Sequence, residues 1–377
     1  MIRVLGLKLL HMLPVLFLVS LATFFLIELV PGDPAVVVAG EDATPEQVAE
    51  IRSELGLDRS LLDRYVGWMS DTLSGDLGTS LVPPIQDVSD MITQRFPVTL
   101  QVTVMALALS LLIAVPAALI SVYSVGSRFD RATTAGAFAA ISVPSFLAAL
   151  LLIYMFVFNQ HLVRWALATV GAFIVCWLSW RIIATLRGEP PSPSRRASVT
   201  ALTTGAGVAT ALTLVAFVAL PDFPRQGFAR PTGDGGLLES LRTTFLPALT
   251  LALIEAAVFM RLLRSDLLTT LQEDYILSAR AKGMPRWRIL VRDALRPSSF
   301  SLITVAGLAL GRLVGGTVIV EAIFNLPGMG TMLIQAIGAK DYAVVQGAVL
   351  VIAVFYVTIN ALVDISYSIL DPRVRRG

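Results

Sequence analysis

The sequence predicts an all-α integral membrane protein. Of its 377 residues, 55% are hydrophobic and only 15% are charged. Mean hydropathy is +0.76, and apolar stretches of about 20 residues, enough to cross a bilayer, recur along the chain. A soluble domain carries about a quarter charged residues, so a chain this poor in charge has lipid as its solvent. Lipid leaves backbone N–H and C=O groups no partner outside the segment, and each crossing is therefore read as a helix.

The first transmembrane helix is placed at 1–30, where Arg3 and Lys8 precede an apolar run from Leu9 to Val30. The pattern resembles a signal peptide, but the run is too long and no small-x-small cleavage site closes it, so the span is read as retained. Residues 31–97 follow as an extracytoplasmic region. Within it Thr44, Pro45 and Glu46 form a helix cap with proline at the first helical position, and Gly56 is a stop for the stretch from Glu46 to Leu57. Transmembrane helices 2 and 3 occupy 98–158, as runs 98–123 and 133–158. Runs 163–186 and 198–220 form a further pair within 159–222, joined by the turn Gly188–Ala197, read as a disordered loop. Runs 245–268, 299–323 and 343–369 complete eight helices inside 223–377. Pro116, Pro144 and Pro247 fall within or near spans, where neighbouring helices or waters can satisfy the freed carbonyls.

Lysine and arginine placement sets the orientation. With the N-terminus in the cytoplasm, the inside segments and their flanks hold 19 of the 29 basic residues, among them Arg128, Arg131, Arg261, Arg264 and Arg373. Nine lie on the other side and Arg312 falls within a span. That bias follows the positive-inside rule, and an even number of spans puts both termini in the cytoplasm.

Several chemistries are excluded by composition. Cys176 is the only cysteine, so it forms no intrachain disulfide, and its apolar setting reads as buried packing. With His11 and His161 as the only histidines, no His/Cys metal cluster can be assembled. No G-x-x-x-x-G-K-[ST] loop occurs, so ATP, if used, is bound by another chain. Paired catalytic carboxylates, HExxH and nucleophile–base constellations are missing as well.

The informative stretch runs from Asp274 to Pro297 inside the cytoplasmic loop 269–298. It reads as two short helices broken at Gly283, which can adopt the left-handed backbone that ends a helix. Ser278, Ala279 and Ala281 are small enough to let a partner approach closely. Met284-Pro285 opens the second helix, with Trp287, Ile289, Leu290 and Leu295 on its apolar side and Arg286, Arg288, Arg292 and Arg296 around them. A basic helix lying on anionic headgroups accounts for the charge, at about 1 kcal/mol per arginine. It does not need the Ala-x-Ala-x-Gly run, which suits docking into a groove on another protein.

Ionisable residues inside spans face a bundle interior or a pathway more often than lipid. Arg312 and Glu321 are candidates for a translocation pathway or for a buried charge. For Arg312 a helix-to-helix salt bridge explains the residue equally, and for Glu321 an interfacial position does. Glu28, Glu255 and Asp364 share the ambiguity. Gly307, Gly311, Gly315 and Gly316 form a small-residue stripe suited to close helix packing.

The loop residues Asp274, Tyr275, Ala279, Arg280, Ala281, Lys282, Gly283, Ala294, Leu295 and Arg296 resemble the EAA loop of ABC importer permeases, in the dipeptide/oligopeptide branch. Leu277 replaces the acidic residue that names the motif in other branches, a residue the peptide branch often lacks too. The resemblance continues through Val30-Pro31-Gly32-Asp33-Pro34, Leu55-Gly56-Leu57-Asp58, Gly75–Ser80, Val143-Pro144-Ser145-Phe146 and Leu246-Pro247-Ala248-Leu249. Further on it takes in Gly315–Val318, Val320–Phe324, Pro327–Gly330, Lys340-Asp341-Tyr342, Asn360, Asp364 and Asp371-Pro372-Arg373. It covers residues 1–158 and 222–377.

The resemblance implies a B-type permease subunit with a type I ABC importer transmembrane domain. The family core has six helices, and 159–222 is an inserted transmembrane hairpin, expected to be peripheral and to face lipid. A second homologous permease subunit and two ATP-binding subunits, which use ATP and Mg, are implied as partners. So are an extracytoplasmic solute-binding protein, received at 31–97, the lipid bilayer and a peptide substrate, with no nucleic acid. The chain binds no cofactor itself, and its place is the cytoplasmic (inner) membrane of a bacterium. Asp274, Tyr275, Ala279, Arg280, Ala281, Lys282, Gly283 and Arg286 are implied as the ATPase-docking coupling loop. The same scaffold importing another solute, such as nickel, and an ATP-independent carrier are the alternatives.

Overall fold

A computed structural model of the chain describes residues 2–28, 33–40, 42–166, 168–169, 171–172, 175, 222–224, 226–233 and 235–370, with backbone alone for 2–11, 26–28, 37 and 364–370. Cys176, the Gly188–Ala197 turn, Pro31-Gly32, Asp371-Pro372-Arg373 and most of the 159–222 hairpin lie outside the described residues. No strand occurs among the described residues, and one isolated bridge joins Thr79 to Asp87.

The chain divides into two compact units. The larger takes in the described residues of Met1–Ala148, Gln226–Phe228 and Pro247–Gly377; the smaller takes in those of Ala149–Arg225 and Ala229–Leu246. Helix α1 (Ile2–Glu28) is followed outside the apolar run by α2 (Pro34–Ala39), α3 (Pro45–Glu54) and α4 (Leu61–Ser74). Each starts for a local reason. The Asp33 carboxylate accepts from Ala35 N–H at 3.0 Å, and Arg52 reaches back to pair with it. Thr44 and Gln47 cap α3 reciprocally, the arrangement its sequence calls for. Ser60 caps α4, and Gly75, at φ +94°, ends it. Tyr65 of α4 lies in an aromatic cluster with Phe24 of α1, at 5.5 Å between rings, and shares a 2.9 Å hydrogen bond with Ser20.

Helix α5 (Val88–Tyr123) has 36 residues, about 54 Å at 1.5 Å per residue, and so outruns the bilayer. The apolar run that starts at 98 is therefore only its inner part; ten more polar residues extend the same helix outward. The third span departs further from a simple crossing. Helix α6 (Arg128–Ser142) and helix α7 (Ser145–Ile153, continued as a π-helix over Tyr154–Phe158) meet at 107°. Val143 before Pro144 is extended at ψ 122°, the conformation a following proline ring favours. Pro97, Pro116 and Pro247 lie inside continuous helices.

Helix α8 (Gly236–Thr270) leads to α9 (Asp274–Ala281), then to α10 (Arg286–Phe324), the short apolar α11 (Met329–Ala339) and α12 (Tyr342–Leu370). Four of these helices, α5, α8, α10 and α12, are each long and apolar enough to cross a membrane, and the α6–α7 pair makes five if counted as one broken span. Among the described residues, two apolar cores lie in the larger unit. The first gathers Ala114 and Ala118 of α5, Phe259, Leu263 and Leu267 of α8, Ile276 of α9, and Ile289, Leu290 and Ala306 of α10. The second gathers Val88 and Ile92 with Met329 and Met332 of α11 and Val344 and Ala348 of α12. Small residues let α10 and α12 approach: a Cβ on Gly307 would collide with Val363, and one on Gly311 would lie 2.9 Å from Tyr356.

Candidate functional site

The ends of α5 and α8 nearest the 269–298 loop and the start of α6 are clamped by one ionic group. Asp130, buried near the start of α6, accepts from Arg264 Nε at 3.0 Å and Nη2 at 3.1 Å, a bidentate pair. Ser121 of α5 donates to the same carboxylate, and Gly126 N–H adds a bond at 2.9 Å. The pair spans 134 positions in sequence, beyond the reach of pattern reading. A local signal did exist: Ser127 and Asp130 have capping-box spacing, and Ser127 Oγ accepts Asp130 N–H at 3.2 Å.

On this base sits α9. Ile276 is fully buried and Ala279, three residues on, packs against the same core, so one stripe anchors the helix. The rest faces outward. Asp274, Tyr275, Leu277, Ser278, Arg280, Ala281 and Lys282 are exposed, as are Gly283, Met284, Pro285, Arg286, Trp287 and Arg288. Partial desolvation, then the nearby Glu273 and Asp293 carboxylates, raise the Tyr275 phenol above its ordinary value.

The break after α9 is a Schellman turn. Gly283 N–H donates to Arg280 C=O at 2.9 Å and Met284 N–H donates to Ala279 C=O at 3.2 Å, with Gly283 at φ +74°. Pro285 is then extended at ψ 139° and α10 begins at Arg286. Over Ile289–Ala294 its turns widen to a π-helix, which places Ile289, Leu290 and Ala294 inward. A groove of about 340 Å³ lies beside the break, lined by Val122, Tyr123, Leu271, Arg280, Met284, Arg286, Ile289 and Leu290. Arg286 stands 5.5 Å over the Tyr123 ring and Arg280 donates to Leu271 C=O at 3.2 Å, so both guanidiniums are held. The result is a rigid, basic knuckle with exposed Tyr275, Leu277, Met284 and Trp287. Large exposed apolar groups in such a setting mark an interaction surface.

The two charges singled out within spans have different surroundings. Glu321, near the end of α10, is fully buried. Its Oε1 accepts from Thr99 Oγ1 at 2.6 Å and its Oε2 from Gly330 N–H at 2.7 Å, while Thr99 Oγ1 accepts Met329 N–H at 2.9 Å. It thereby caps the first turn of α11 and ties α5, α10 and α11 together. Glycines at 328 and 330 are required because a Cβ at either would run into the Glu321 carboxylate. Arg312 pairs with Glu255 of α8 at 2.8 and 3.0 Å, joining α8 to α10; Glu255 is buried and Arg312 is exposed. The side chains of Glu28 and Asp364 lie outside the described residues. On the opposite side of the bundle, Asp341 accepts from Ser80 Oγ at 2.5 Å and Leu81 N–H at 3.2 Å, fixing the 75–87 segment to the start of α12.

A bundle of spanning helices interrupted on one side by an anchored basic knuckle defines a multi-pass membrane protein built to engage other chains. Residues 110–376 match the family of binding-protein-dependent transport system inner membrane components, and residues 1–103 match the N-terminal part of such membrane components. The chain belongs to this family. It is 34% identical over 363 residues, covering 96% of both chains, to a Brucella abortus (strain 2308) protein named as a peptide transport system permease. It is 32% identical over 364 residues, again 96% of both, to the dipeptide transport system permease protein DppB of Escherichia coli (strain K12).

Proposed function

We propose that this chain is a permease subunit of an ATP-driven importer that carries di- or oligopeptides across the cytoplasmic membrane. The observation that carries the reading is the anchored knuckle of α9, Gly283 and the start of α10. Its inner stripe is fixed to the span core while its small, basic and aromatic outer residues face outward, free for another protein to meet. ATP-binding subunits dock there through Asp274, Tyr275, Ala281, Lys282 and Arg286, with Ala279, Arg280 and Gly283 shaping the surface. Ile276, Ile289 and Leu290 sit in the same core as α5, α8 and α10, so a displacement of the knuckle is passed to the spans. Such a movement shifts the bundle between inward- and outward-facing states. A second homologous permease subunit completes the path, and a solute-binding protein delivers peptide to the 31–97 side. Peptide as solute rests on the names of the two relatives.

The test is co-purification of the detergent-solubilised chain with its ATPases, followed by hydrolysis stimulated by peptide-loaded binding protein. Gly283→Pro removes the N–H given to Arg280 and cannot hold φ +74°, so it breaks the Schellman turn. Expected are recruitment and stimulation for the native chain and loss of one or both for the variant. A native chain that recruits no ATPase sinks the proposal.

A further inference from the structure

A charge at the middle of a span is tolerated only where it meets protein or water. Arg312 lies midway along the 299–323 run of α10, and its partner Glu255 lies midway along the 245–268 run of α8. The Glu255 side chain keeps 9% of its surface exposed, but Arg312 keeps 59%. Glu255 engages Nη2 alone, and Nε and Nη1 have no partner among the described residues.

The surroundings of Arg312 are equally informative. Leu308, Arg312, Gly315, Ile319 and Ala322 are all exposed and recur at helical spacing along one face of α10. A Cβ added at Gly315 or Gly316 would meet nothing within 4 Å, so the space before this face is open. Lipid is the wrong occupant, since an arginine at mid-span costs about 2.5–3.5 kcal/mol on insertion scales. A tightly packed neighbouring helix would strip water from Nε and Nη1 while Glu255 already answers the charge. A water-filled path carries neither cost.

Resting on the reading of this chain as a peptide permease, we propose that Arg312 lines the translocation path and receives the carboxylate of the passing solute on the donors Glu255 leaves free. Glu255 is the positioning residue. It holds the guanidinium and offsets part of its field, so the solute is held loosely enough to leave, as conduction through a path requires.

The test uses the complete transporter in proteoliposomes, in a Cys176→Ser background. Ile319→Cys probes the same face and leaves the ion pair intact. It is expected to react with a membrane-impermeant thiosulfonate in at least one of the nucleotide-free and vanadate-trapped states. Uptake of a neutral dipeptide is then compared with uptake of its C-terminal amide, and with a peptide whose only carboxylate is a glutamate side chain. With one binding protein throughout, its own selectivity cancels in the ratio of variant to native transporter. Arg312→Gln with Glu255→Gln, which strands no buried charge, is expected to lower the acid-to-amide ratio about tenfold, and Arg312→Lys to restore part of it. A larger effect on the dipeptide assigns the site to the terminal carboxylate; one on the glutamate peptide assigns it to acidic side chains. An unreactive Ile319→Cys, or an unchanged acid-to-amide ratio, in a transporter that still hydrolyses ATP on binding-protein stimulation overturns the inference. Failure to assemble with ATPases at all would instead strike the permease reading.

Discussion

Glu321 is the residue on which three helices converge, and its cost of burial is met by donors rather than by a counter-charge. Thr99 O–H and Gly330 N–H converge on it, and the amino end of α11 supplies a favourable dipole. Two substitutions separate the roles of shape and charge. Glu321→Gln keeps the length but points an NH₂ at donors, costing about 1–3 kcal/mol for the bonds left unmade. Gly330→Ala drives a methyl into the Val318 backbone, which cannot rotate away, so its cost should exceed that of Glu321→Gln, at about 3 kcal/mol or more. Thermal unfolding of the solubilised complex measures both. Equal losses would mean that the carboxylate, and not the close approach of α11 to α10, dominates this corner.

At the scale of elements, the chain marks its own helix ends far better than its helix partners. Thr44, Pro45 and Gln47 sit within four positions, and Gly283 follows directly on the helix it ends, so both features are readable from the residues beside them. Ser80 with Asp341 and Glu255 with Arg312 are 261 and 57 positions apart, and only folding brings them together. Pro144 announces a bend but not its size, which depends on what the two arms pack against. The Arg286–Ala294 stretch likewise reads as a plain helix, because one extra residue in a turn leaves no mark in composition. A prediction follows for the 75–87 segment. Asp341→Ala removes the acceptor for Ser80 O–H and Leu81 N–H without touching the knuckle of α9 and α10. Protease should then cut 75–87 faster by about thirtyfold, as two bonds worth roughly 1 kcal/mol each are lost. ATPase co-purification should stay as it was. If cleavage is unaltered, the bridge between Thr79 and Asp87 suffices to hold the segment.

For the whole molecule the decisive quantity is which way the spans run, since the same bundle turned over would present its basic knuckle to the outside. Arg280, Lys282, Arg286, Arg288, Arg292 and Arg296 cluster on one side of α8 and α10, and Arg128, Arg131, Arg261 and Arg264 adjoin them. Positive charge near short loops is retained in the cytoplasm, and that bias predicts α9 on the side where ATP is found. The helices of α2–α4 fall on the opposite side, where Asp33 and Arg52 pair in solvent. Thiol labelling tests this directly because Cys176 is the only native cysteine. In a Cys176→Ser background, exposed Asp58→Cys should react with an impermeant maleimide in cells whose cytoplasmic membrane is intact and whose outer face is accessible. Exposed Gln272→Cys should react only after that membrane is opened. The reversed pattern would put the knuckle outside, where no ATP-binding subunit could reach it, and the docking role would fall with the topology.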